Sequence, residues 1–114
     1  MSTKEGWVNK CGGSIKTWKK RWLILSGNTL NYYTKQNDKK PKGTITLNTT
    51  MKAKLTTCPK CENSFAIETG GREYLMYPDD KSKGECESWV EKISLAIIGN
   101  VSKYQSNIFF YMQT

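Results

Sequence analysis

A chain of 114 residues with 37% apolar, 25% charged and 11% aromatic side chains has the size and composition of one domain with a single core. Its net charge of +8 points to an anionic partner, and the complete absence of histidine excludes Ser-His and Cys-His nucleophile pairs and HExxH zinc sites. The longest apolar runs, Leu23-Ile24-Leu25 and Leu95-Ala96-Ile97-Ile98, are too short for a membrane span, and the first residues resemble no secretory leader. The expectation is a cytoplasmic binding module, not an enzyme.

Seven short segments rich in β-branched or aromatic residues, each bounded by Gly, Pro, Asn or Asp, predict strands over 6–10, 18–25, 29–34, 43–47, 52–57, 64–68 and 73–77. Ser26-Gly27-Asn28 and Thr69-Gly70-Gly71 read as hairpin turns, because Gly and Asn tolerate the positive φ of such connections. Cys58-Pro59-Lys60-Cys61 has the spacing of half a zinc knuckle. With no histidine and no second spaced pair it reads as a β-turn carrying free thiols, and neither a metal nor a cofactor is expected. The last element is a helix: Ser82-Lys83-Gly84-Glu85 has the form of a capping box, and Cys86, Trp89, Val90, Ile93 and Ile97 fall on one face. Gly99-Asn100 reads as its stop. The predicted fold is mainly β, a seven-stranded, strongly bent antiparallel barrel or orthogonal sandwich capped by one C-terminal helix.

Charge is placed unevenly along this chain. Residues 1–60 carry thirteen basic side chains against two acidic ones, and the remainder five against eight, so the positive excess lies wholly in the first half. Nucleic acid and anionic lipid are the two partner classes such a field suits. The basic residues gather at the end of one hairpin instead of interleaving with exposed aromatics along a groove, so no nucleic acid partner is expected.

Lys4-Glu5-Gly6-Trp7-Val8-Asn9-Lys10, Trp18-Lys19-Lys20-Arg21-Trp22-Leu23-Ile24-Leu25 and Leu30-Asn31-Tyr32-Tyr33 resemble the first three strands of the pleckstrin homology (PH) domain, and Trp89 stands where that family's final helix has its tryptophan. The resemblance covers residues 4–98 and leaves 99–114 as a C-terminal extension of unknown role. Its segment Ile108-Phe109-Phe110-Tyr111-Met112 is too apolar for a free tail and is a candidate contact for a protein partner. Lys10-Cys11-Gly12 followed by Lys19-Lys20-Arg21-Trp22-Leu23-Ile24 is similar to the pattern of members that bind 3-phosphorylated inositol lipids. The stretches 12–18 and 38–43 resemble the cytohesin-type members.

The resemblance implies a phosphoinositide-binding, membrane-targeting module recruited from the cytoplasm to the inner face of the plasma membrane. Lys10, Lys16, Lys19, Arg21, Tyr32 and Lys42 would surround a 3,4,5-trisphosphate or 3,4-bisphosphate headgroup, and Trp89 would be structural. Residue chemistry agrees with this. Strand alternation puts Lys19 and Arg21 on one face, with Trp18, Lys20 and Trp22 on the other. Arg21 offers a planar fork to phosphate, where lysines act as point charges. Ile15, at the tip of the first hairpin, is the residue expected to insert into the membrane. Cytohesin-type members carry a long hairpin between strands six and seven that contributes headgroup contacts, whereas Glu68-Thr69-Gly70-Gly71-Arg72-Glu73 is a short turn. The site is therefore expected to rest on strands one to four. The other reading within the family is a protein-binding scaffold module without specific lipid recognition.

Overall fold

Alternation along the first hairpin decides which side chains build the core. In the computed structural model, which describes residues 3–12 and 17–113 and their side chains as far as residue 99, β1 (Lys4–Gly12) pairs antiparallel with β2 (Thr17–Ser26). Val8, Leu23 and Leu25 turn inward and are fully buried. Their neighbours Trp7 and Trp22, directly opposite each other, pack edge to face on the outer side with ring centroids 5.2 Å apart. Ile15 and Lys16 lie outside the described residues.

Five more strands complete one sheet: β3 (Thr29–Tyr33), β4 (Gly43–Thr46), β5 (Lys52–Thr56), β6 (Ser64–Glu68) and β7 (Glu73–Pro78). The order is β4-β3-β2-β1-β7-β6-β5, antiparallel throughout. The sheet wraps around a single core, because Leu30 and Ile45 from one wing share a cluster with Phe65, Ile67 and Met76 from the other. Helix α1 (Lys83–Gln113) closes the barrel with the face the sequence predicts: Cys86, Trp89, Ile93 and Ile97 are buried against β5, β6 and β7. Trp89 stacks on Phe65 at 6.2 Å, and the Lys4 ammonium lies 4.9 Å from its ring centroid. The seven antiparallel strands thus form a half-barrel with one C-terminal helix, as expected.

Local details depart from the sequence reading at three places. Gly27 has the expected positive φ of 58°, but neither Gly70 nor Gly71 does. The second turn is held instead by Thr69, whose hydroxyl accepts from Arg72 N–H at 3.0 Å while its own N–H donates to the Arg72 carbonyl at 2.8 Å. Only half of the capping box forms. Glu85 N–H donates to Ser82 Oγ at 3.1 Å, but the Glu85 carboxylate pairs with Lys4, and Ser82 N–H donates to Asp80 Oδ1 at 3.0 Å. Finally, Gly99-Asn100 does not stop α1, which continues to Gln113. A glycine stop works through a left-handed residue, and Gly99 is not one. In a helix interior, glycine costs only about 1 kcal/mol relative to alanine.

Cys58-Pro59-Lys60-Cys61 does fold as a tight turn, each cysteine N–H donating to the other's carbonyl at 3.1 Å, and all four cysteines are free thiols.

Candidate functional site

The inward face of the first hairpin changes character along its length. On β1 the inward positions run Val8, Lys10, Gly12, and on β2 they run Leu25, Leu23, Arg21, Lys19. One alternation therefore supplies apolar groups to the core and cations to the barrel's open end. There, Lys10, Gly12, Thr17, Lys19, Arg21, Tyr32, Lys42 and Arg72 line a cavity of about 280 Å³. None of its lining residues among those described is acidic. A larger cavity of about 370 Å³ lies between β5, the 57–63 loop and α1, but Lys83 and Glu62 offset each other there, so no net charge converges on it.

Lys10 is the centre of the site. It is only 6% exposed, yet among the described residues no carboxylate forms an ion pair with it. Its ammonium stands 4.4 Å from the ring centroid of Tyr32 and 5.5 Å from that of Tyr74, so aromatic faces supply part of the solvation that burial removes. Burial, then Arg72, then Arg21 hold its pKa below the usual lysine value, against a smaller opposing effect of Cys11. A buried cation whose charged neighbours are also cations is a costly arrangement that an anion in the cavity would relieve.

Glycines make room for these groups. Lys10 Nζ lies 2.9 Å from the point where a Cβ on Gly12 would sit, and the ring of Tyr32 passes across Gly43. Lys42, exposed at the rim, is tethered to β3 by its N–H, which donates to the Tyr32 carbonyl at 2.7 Å. Arg21 is half-buried, and its Nη1 donates to the Lys20 carbonyl at 3.0 Å. Lys20 itself points the other way, 5.0 Å from the Trp7 ring centroid and 3.4 Å from Asp79 Oδ2.

Five of the six residues expected to contact a ligand, Lys10, Lys19, Arg21, Tyr32 and Lys42, are therefore brought together, and the sixth, Lys16, lies outside the described residues. Arg72 lines the same cavity from outside strands one to four. This residue enters from the short β6–β7 turn, with its guanidinium 4.4 Å from the Tyr74 ring centroid. Pairing of β7 with β1 places that turn beside the first hairpin. The one sequence signal for it is that Arg72 is the sole basic residue between positions 61 and 80. Among the described residues, no group of three or more Cys, Asp or Glu side chains is arranged to hold a metal ion.

The family model described as the PH domain matches residues 2–98. A RAC family serine/threonine-protein kinase homolog of Dictyostelium discoideum is 38% identical over 76% of this chain, and Rho GTPase-activating protein 24 of Rattus norvegicus is 34% identical over 86%. The chain spans only 19% and 14% of those proteins. Cytohesin-4 of Mus musculus is 52% identical over a shorter stretch of 44 residues, 39% of this chain and 11% of that protein. Among solved structures, the C-terminal PH domain of pleckstrin in complex with D-myo-Ins(1,2,3,4,5)P5 superimposes with a TM-score of 0.72 at 27% identity, covering 85% of this chain and 99% of that one. The order of strands, the helix with its buried tryptophan and these likenesses agree: the chain belongs to the PH domain family.

Proposed function

We propose that this PH domain binds the phosphorylated inositol headgroup of a membrane lipid in the basic cavity, and that its preference is for 3-phosphorylated headgroups, the 3,4,5-trisphosphate or the 3,4-bisphosphate. The observation that carries the reading is Lys10, a buried ammonium facing two arginines and without a carboxylate partner among the described residues. Arg21 and Arg72 provide bidentate forks on two sides of the cavity, Lys19 and Lys42 add mobile charges at its rim, and the Tyr32 hydroxyl supplies a neutral donor. The inositol pentakisphosphate bound by the pleckstrin domain supports the ligand class, and the likeness to cytohesin-4 supports the 3-phosphate preference. Lys16 and Ile15, on the segment joining the two basic strands, complete the reading as a further headgroup contact and the membrane-inserting residue. Binding of this kind recruits the protein that carries the domain to the cytoplasmic face of the plasma membrane.

The test is vesicle sedimentation over a panel of phosphoinositides at matched surface charge, with titration of the soluble headgroups alongside. Binding to 3-phosphorylated lipids well above phosphatidylserine is the expected result, since nonspecific attraction supplies only about 1 kcal/mol per basic residue near an anionic surface. Equal binding to every anionic vesicle would overturn the headgroup reading.

A further inference from the structure

We propose that Lys10 is a site of covalent modification by small phosphorylated aldehydes, which the flanking arginines Arg21 and Arg72 hold by their phosphate. The inference rests on the cavity being an anion site, as in the function proposed above, but not on which headgroup it reads.

A lysine attacks a carbonyl carbon as the free amine, and an ordinary surface lysine is protonated and hydrated near neutrality. Lys10 differs on both counts. It is 6% exposed, and burial with the two arginines depresses its pKa, so a larger share of it is free amine than in a solvated lysine. Tyrosine rings are its neighbours, and among the described residues no carboxylate forms an ion pair that would hold the proton in place. The amine is nevertheless reachable, because it lines the same 280 Å³ cavity as Arg21 and Arg72. A phosphate docked on those guanidiniums delivers a carbonyl a few atoms away to Nζ, converting a bimolecular encounter into a local one. Lys19 and Lys42 line the cavity too but stand exposed to water.

The step balances without oxidant or reductant. The Nζ lone pair forms the C–N bond as the carbonyl π pair moves to oxygen, and a proton passes from nitrogen to that oxygen. The resulting carbinolamine then loses its hydroxyl as water, leaving the imine. The phosphate is unchanged, and water reverses the reaction. While the imine stands, the cavity is filled and the Lys10 amine is no longer offered to a headgroup.

The experiment treats the full chain with pyridoxal 5′-phosphate, traps imines with borohydride and maps the adducts by peptide mass spectrometry, with phosphate-free pyridoxal as the control. Lys10 should be labelled first, about tenfold faster than any other lysine, the equivalent of one charge-assisted hydrogen bond. Pyridoxal should show no such selectivity, Arg21→Ala and Arg72→Ala should each slow Lys10 labelling, and the trapped adduct should no longer bind a soluble inositol phosphate. Labelling spread evenly over the lysines, or equal selectivity with and without the phosphate, would overturn the proposal. Selective labelling without any inositol phosphate binding would leave this inference standing and remove the headgroup reading. Headgroup binding with unselective labelling would do the reverse.

Discussion

Tyr32 and Gly43 face each other across the β3–β4 ladder, and the tyrosine ring occupies the space into which any side chain at position 43 would project. The aromatic wall against which Lys10 rests therefore depends on a missing Cβ three strands away from the lysine. Gly43→Ala should push the ring off this position at an overpacking cost of about 1 to 3 kcal/mol. Thermal unfolding should register that loss, and headgroup titration a weakened site, while Gly70→Ala, whose added methyl meets nothing within 4 Å, should leave both unchanged.

Arg21 should be the most sensitive side chain in the cavity. It is half-buried and able to make two parallel charge-assisted bonds to one phosphate, each worth about 1.5 to 3 kcal/mol. Arg21→Ala should abolish measurable headgroup binding with little change in melting temperature, and Arg21→Lys should restore only part of it, because the charge returns without the fork. Arg72→Ala, from an exposed turn, should weaken binding less. A folded Arg21→Ala protein that binds inositol phosphates like wild type would favour the protein-binding reading of the domain.

Lys10→Met should separate binding from stability in opposite directions. The variant loses the central cation but also the cost of burying it, so headgroup affinity should fall while stability holds or rises by about 0.5 to 2 kcal/mol. The pH dependence has a defined sign. Since the folded-state pKa of Lys10 lies below its ordinary value, the unfolded chain binds more protons between the two, and stability rises with pH across that window. Below the depressed pKa the destabilisation is fully present. Comparing denaturant midpoints of wild type and Lys10→Met from neutral pH towards 10.5 should show this rise in the wild type beyond whatever the variant retains.

Trp89 is 1% exposed and stacked on Phe65, so truncating it leaves the barrel end unfilled. Trp89→Ala should cost roughly 3 to 5 kcal/mol in chemical denaturation. Where the variant remains folded, headgroup affinity should be close to wild type, since no cavity-lining residue stacks on Trp89.

Thiol chemistry should sort the four cysteines. Burial pushes the Cys86 thiol up to about 11, and the residue is 1% exposed, whereas Cys11, Cys58 and Cys61 are partly exposed. Iodoacetamide on the native protein near neutral pH should alkylate those three and spare Cys86 until denaturant is added. Early alkylation of Cys86 would mean that the N-terminal turn of α1 opens in the native state.

Local chemistry was enough for much of this protein. Seven strands were legible because each is a short run rich in β-branched or aromatic residues that ends at a turn former. The buried face of α1 was legible because its apolar positions recur at helical spacing. Alternation along β2 placed Lys19 and Arg21 on one face before any pairing was known, whereas only the family resemblance points to Tyr32. Only the tertiary structure decided the remainder. The β1–β7 pairing, between residues more than sixty positions apart, carries Arg72 to Lys10, and no periodicity reports a contact of that range. Burial of Lys10 depends on two tyrosines from different strands closing over it, and the need for glycine at position 43 depends on one of them. The glycine at position 99 shows the converse: its composition signalled a stop, but termination requires a left-handed backbone that a glycine permits and does not enforce.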